Sequence, residues 1–167
     1  MKQTARFRGG VVFGSLLLLG AAFSSQAEET FSPMLSLRMG ERVIELQREQ
    51  LAALPQARLT TSTTLNEGTP TWEGPLARDV LALLDIPEGQ VVPLRMSSWD
   101  DYSVDLTSED FQRWDVILAH RVDGKDLTVL GLGPLRVVYP RDQHQELQDS
   151  RFDHRWVWML REIVIAP

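Results

Sequence analysis

Short runs of alternating apolar and polar residues recur along this chain. Val92, Leu94 and Met96 alternate with Pro93 and Arg95, and Tyr102, Val104 and Leu106 alternate with Ser103 and Asp105. A side-chain period of two predicts two half-buried strands, the first near a sheet edge because its proline cannot donate to a ladder. Glu41 to Leu46, Leu59 to Thr64, Val116 to Ala119, Leu127 to Leu130 and Leu135 to Tyr139 read as further strands from their β-branched and apolar residues, the last stopped by Pro140. Helical spacing is rarer. Arg48 to Ala53 makes a turn or two before Pro55, and Leu76, Val80, Leu83 and Leu84 form an apolar stripe behind Pro75, which fits a first helical turn. Thr107 and Asp110 resemble a capping box, so Ser108 to Arg113 is predicted as a short helix capped by Asp110. Trp156 to Ile165 fits both periods; its terminal Ile163, Val164 and Ile165 decide for a strand, with a bulge near Arg161. The sum is an α+β, mainly β domain with short helices.

The start of the chain has a different pattern. Lys2, Arg6 and Arg8 precede an apolar stretch from Val11 to Ala22, and Ser25-Gln26-Ala27 places small residues at a cleavage site. Residues 1–27 therefore read as a signal peptide. The apolar stretch is shorter than the roughly 20 residues that a bilayer span requires, which counts against a retained anchor. With no adjacent arginine pair, export as an unfolded chain is the expectation, to a bacterial periplasm. Residues 28–40 read as a loosely held lead-in and 41–167 as one domain. Removing the signal takes away three basic residues and no acidic ones, moving the net charge from −6 to −9 and leaving Lys125 as the sole lysine. Such a charge excludes a nucleic-acid partner, and no membrane span remains.

The 167 residues contain no cysteine, which excludes disulfides, thiolate metal sites and a thiol nucleophile. His144, Glu146, Asp149, Asp153 and His154 could form a zinc set, but they lack the HExxH spacing and lie in a hydrophilic stretch that reads as a solvated loop. His120 reads as a hydrogen-bonded strand end. Asp105 falls on the outer face of its strand and Asp110 on a cap, leaving Asp100-Asp101 as a turn or a weak acid–base candidate. No GxSxG is present, and Gly131-Leu132-Gly133-Pro134 lacks the Walker lysine and reads as a tight turn beside a close backbone. Five tryptophans exceed what packing demands; Trp156 and Trp158 alternate with Val157 and are either core or the wall of a ligand groove.

The order of these pieces resembles the oxidoreductase molybdopterin-binding domain, the sulfite-oxidase fold, in its short exported single-domain members. The resemblance rests on Trp72-Glu73-Gly74-Pro75-Leu76, the helix ending Leu83-Leu84, Asp101-Tyr102-Ser103-Val104, Val116-Ile117-Leu118-Ala119, Asp123-Gly124-Lys125-Asp126-Leu127, the run Gly133 to Pro140 and the tryptophan-rich end. It implies a groove where catalytic members hold a molybdenum–pterin cofactor through a cysteine, in a loop after the Thr-rich strand. Here that loop reads Thr63-Thr64-Leu65-Asn66-Glu67-Gly68, and Val157 stands where the resemblance implies a lysine. The expected function is a non-catalytic periplasmic binding or accessory domain, with no catalytic residue, metal or cofactor, serving a membrane sensor or enzyme. The alternative is an oxidoreductase that keeps molybdopterin without a protein thiolate. Expected partners are a small anionic ligand or a periplasmic or membrane protein. The groove candidates are Asn66, Asp101, Tyr102, Arg136, Tyr139, Arg141 and Arg155, with Arg141 favoured for meeting an anion.

Overall fold

The computed structural model describes residues 32–65, 68–87 and 89–166. Residues 1–27 and Asn66 lie outside them. Among the described residues, three short α-helices accompany eleven strands: α1 (Arg48–Ala53), α2 (Ala77–Ala82) and α3 (Glu109–Arg113). The main sheet has the order β2-β1-β11-β5-β6, built from β2 (Arg42–Leu46), β1 (Leu35–Met39), β11 (Leu160–Ile165), β5 (Pro93–Ser98) and β6 (Ser103–Thr107). The β1–β11 pair is parallel and the other neighbours are antiparallel. A four-stranded sheet follows the order β3 (Gln56–Thr60), β4 (Thr71–Pro75), β8 (Arg121–Val122) and β9 (Lys125–Asp126), and β10 (Arg136–Val138) pairs with β7 (Ile117–Ala119).

Several local readings are corrected by tertiary pairing. The lead-in is no loose segment over residues 35–39: Leu35 and Leu37 are fully buried in β1, which hydrogen-bonds to both β2 and β11. Strand β5 is interior rather than an edge. Pro93 is tolerated as its first residue, where no ladder N–H is required, and its carbonyl accepts from Ala166 N at 3.0 Å. Pro75 closes β4 instead of opening a helix, and Leu76 is the N-cap of α2. Leu127–Leu130 is not a strand; its chain turns through the 3-10 segment Val129–Gly131 into the left-handed Leu132.

The last strand begins at Leu160 rather than Trp156. Val157 O accepts from Val137 N and Leu160 N donates to Leu135 O, while Met159 takes a φ of 52° that a continuing strand forbids. Residues 156–159 thus carry the chain from the 3-10 segment Ser150–Arg155, past β10, into the main sheet. A register shift between Leu160 and Glu162 puts the bulge at Arg161, where the sequence placed it.

The core gathers both layers, with Leu37, Met96 and Ile163 of the main sheet, Trp72 and Leu118 of the others, and Val80 and Leu84 at α2 all buried. Burial of each large aliphatic side chain contributes about 1.5–3 kcal/mol. Gly74 makes the close approach of β4 to β7 possible. A Cβ there would collide with the Leu118 carbonyl and stand 2.8 Å from Ala119 Cα. Gly133 packs likewise on Leu127, where an added Cβ would lie 2.6 Å from the Leu127 Cβ, in keeping with the tight turn beside close backbone.

Candidate functional site

Beyond β3 the chain leaves the ladder but stays anchored. Thr61 and Thr63 are buried, and Thr61 O accepts from Trp72 Nε1 at 3.3 Å. Asp142 Oδ2 accepts from Ser62 N at 2.6 Å while Asp142 N donates to Thr61 Oγ1 at 3.1 Å. The Ser62 hydroxyl, foremost, holds the Asp142 carboxyl below its usual range. These bonds tie the segment before residue 66 to the turn after Pro140.

A cleft of about 210 Å³ opens beside this segment. Thr63, Thr64 and Leu65 form one side, Arg136 of β10 and Tyr102 of the β5–β6 turn contribute two more walls, and the 153–158 segment completes it with Asp153, His154, Trp156 and Trp158. Arg136 is buried, with its guanidinium 4.7 Å over the Trp72 ring; desolvation pulls its pKa down to about 10, so it remains charged at neutral pH. Tyr102 Oη donates to His154 O at 2.6 Å, and Trp158 Nε1 donates weakly to Asp100 Oδ2 at 3.4 Å. A hydrogen bond from Ser98 Oγ holds the Asp100 carboxyl low, keeping it a firm acceptor. Two polar atoms of the lining residues are buried without a hydrogen-bond partner among the described residues: Trp156 Nε1 and Asp153 Oδ1.

Behind Trp156 lies a second polar cluster. Arg155 Nη1 donates to both carboxylate oxygens of Asp110 at 2.8 and 2.7 Å, and Tyr139 Oη donates to Asp110 Oδ2 at 2.9 Å. The Arg155 guanidinium also covers the Phe152 ring at 4.4 Å, and Tyr139 packs on Trp156 with centroids 5.9 Å apart. Burial first, then the Asp110 charge, pushes the Tyr139 hydroxyl well above its ordinary pKa. Asp110 is therefore no helix cap. Ser108 occupies that position, and its hydroxyl accepts from Val92 N instead.

Of the sequence candidates, Tyr102 and Arg136 line the cleft. Tyr139 backs it through Trp156. Arg155 faces a separate cavity of about 480 Å³ on the α3 side. Asp101 is an exposed turn residue with φ 65°, and Arg141 donates to Gln148 O at 3.2 Å, so neither reaches the cleft wall. Thr63, Thr64 and Asp153 were not singled out for the groove; Trp156 and Trp158 were, as one of two readings. His144 packs against Trp114, and no group of three or more His, Cys, Asp or Glu stands in metal-binding array among the described residues. A larger cleft of about 560 Å³ beside α2 and α3 collects none of the candidates.

The family model described as the oxidoreductase molybdopterin binding domain matches residues 38–143. The chain belongs to this family. Its solved structural neighbours include the sulfane dehydrogenase SoxCD from Paracoccus pantotrophus, at a TM-score of 0.56 and 17% identity, over 78% of this chain and 37% of that one. That likeness establishes the shared sulfite-oxidase-like fold, and the chain spans little over a third of the neighbour's length. No curated protein matches. Three walls of the cleft, Thr63–Leu65, Tyr102 and Arg136, lie inside the matched family segment, whereas the 153–158 wall lies beyond it.

Proposed function

We propose that this family member is a non-catalytic binding domain: an exported accessory protein that holds a small ligand with an anionic group in the cleft and reports its occupancy to a membrane partner such as a sensor. One observation carries the reading: no side chain of this chain can supply a thiolate, since its 167 residues include no cysteine. Molybdenum bound through a single soft protein ligand has no inexpensive substitute among Thr, Leu, Asn, Glu and Gly, the residues of the loop after β3. The donor set does not fit a molybdopterin on other grounds too. The cleft, at about 210 Å³, is below the about 300–1,000 Å³ of sites for drug-sized ligands. Its described lining carries one arginine, Arg136, together with the carboxylate of Asp153, which is a poor clamp for a pyrophosphate.

Export rests on residues 1–27, with their basic start, apolar middle and small residues at Ser25 and Ala27. The test is metal analysis and visible absorption of the chain purified from the periplasm of its own host. We expect molybdenum and tungsten far below one equivalent and no absorption band beyond that of the aromatic residues. Stoichiometric metal would replace this reading with that of an oxidoreductase holding its cofactor without a protein thiolate.

A further inference from the structure

At the β6 edge of the main sheet, we propose, an extended peptide of a partner protein, alternating apolar and basic side chains, adds as a sixth strand. This surface does not depend on what the cleft holds. The register decides which backbone groups the edge offers. Ser98 N donates to Tyr102 O and Ser108 N donates to Val92 O, both at 2.9 Å. Bonded and non-bonded pairs alternate in an antiparallel ladder, so Val104 and Leu106 turn their N–H and C=O groups towards β5. Those of Ser103, Asp105 and Thr107 turn outward, and none has a partner among the described residues. Strand β6 has neither a proline nor a bulge to blunt that edge.

The cavity of about 480 Å³ on the α3 side lies against the same edge, lined by Asp105, Leu106 and Thr107. Trp114 and Phe152, with ring centroids 5.8 Å apart, join Leu106 to give it an apolar lining. Its cations are already matched: Arg155 pairs with Asp110 and Arg113 with Glu146, while Asp105 holds Arg95. Glu109 lines the cavity too, is exposed, and forms no ion pair among the described residues. That surplus carboxylate selects a cationic side chain in the occupant. An added strand sends successive side chains to opposite faces. Those beside Asp105 share its exposed face, where a lysine is favoured; those beside Leu106 share the face that packs on the core, where an apolar residue is favoured. Backbone bonds then supply affinity and the alternation supplies specificity. A second copy of this chain fits less well, because it brings another Asp105 and Glu109 to the edge and carries the same net charge of −6.

The experiment titrates the purified chain with a short end-capped peptide of alternating valine and lysine, following amide hydrogen exchange by NMR. Binding should slow exchange at Ser103, Asp105 and Thr107 at least about tenfold. A matched peptide with glutamate for lysine should bind at least about tenfold more weakly. Thr107→Pro removes one outward N–H at an edge position where proline is tolerated, and should weaken binding at least about tenfold. Glu109→Gln removes the surplus charge and should weaken it about threefold. The thermal midpoint of each variant verifies that it is folded. Absence of binding below about 1 mM overturns the proposal, as does equal binding of the glutamate peptide or full affinity in folded Thr107→Pro. Protection that falls on β2 or β3 instead of β6 also overturns it. So does protection of the β6 amides that rises with protein concentration in the absence of peptide, which makes a second copy the occupant. The metal content of the protein bears on the binding-domain reading alone, so the two fail separately.

Discussion

Asp110 joins three parts of the molecule through one carboxylate. It lies in the first turn of α3, accepts from Tyr139 Oη just beyond β10, and pairs with Arg155 beside the cavity on the α3 side. Both partners of the pair are largely shielded, with side-chain exposures of 24% and 11%, so removing one leaves the other charge poorly solvated. Asp110→Ala should cost about 3–5 kcal/mol in urea unfolding, and a loss below about 1 kcal/mol would mean the pair behaves as a surface contact. His120 gives a second residue-scale test. It is buried, its Nε2 meets Gln56 Oε1 at 2.9 Å, and its Nδ1 has no partner among the described residues. Burial foremost, then Arg48, lowers its pKa from the ordinary 6.5; Asp126 and Glu73 oppose the shift and Arg121 adds to it. The folded state thus binds fewer protons than the unfolded one just below pH 6.5. Stability from this group is complete above that pH and falls as the pH drops towards the folded value. Denaturation midpoints between about pH 7 and 5 should decline with acidification in the parent and more shallowly in His120→Gln.

At the scale of elements, the contact of β4 with β7 depends on a missing side chain. Because an added methyl at Gly74 would meet backbone of Leu118 and Ala119 on the facing strand, no rotamer change relieves it. Gly74→Ala should destabilise by more than about 3 kcal/mol or abolish soluble expression, while Gly124→Ala, in an open turn with φ 76°, should be milder. Comparing the thermal midpoints of the two variants checks this. The bulge at Arg161 was legible because a local change of pattern announces it. Strand β4 was not: Trp72, Glu73 and Gly74 alternate too briefly, and the proline suggested a helix start. The capping role assigned to Asp110 failed for a similar reason, since the Thr107-to-Asp110 spacing cannot reveal that Tyr139 and Arg155 compete for the carboxylate.

For the whole molecule, the decisive feature is that β1 and β11 lie side by side and parallel, in the middle of the five-stranded sheet. Deleting residues 28–40 would strip β11 of one neighbour, remove the buried Leu35 and Leu37, and expose a flat apolar edge. The shortened chain should lose cooperative unfolding in circular dichroism and aggregate on concentration, where a dispensable lead-in would leave both unchanged.

What the sequence determined alone is local or compositional. Strand and helix positions set by period two, by helical spacing and by proline stops could be read directly, as could the family resemblance and the absence of any thiol, because each depends on residues near one another or on a simple count. Tertiary structure decided the rest. It made β5 interior, drew residues 35–39 into the central sheet, and assembled one cleft from the segments around Thr63, Tyr102, Arg136 and Trp156. Those segments meet only when chain-distant strands pair and one buried core closes around them, and no window of sequence carries the energy of contacts made between its distant parts.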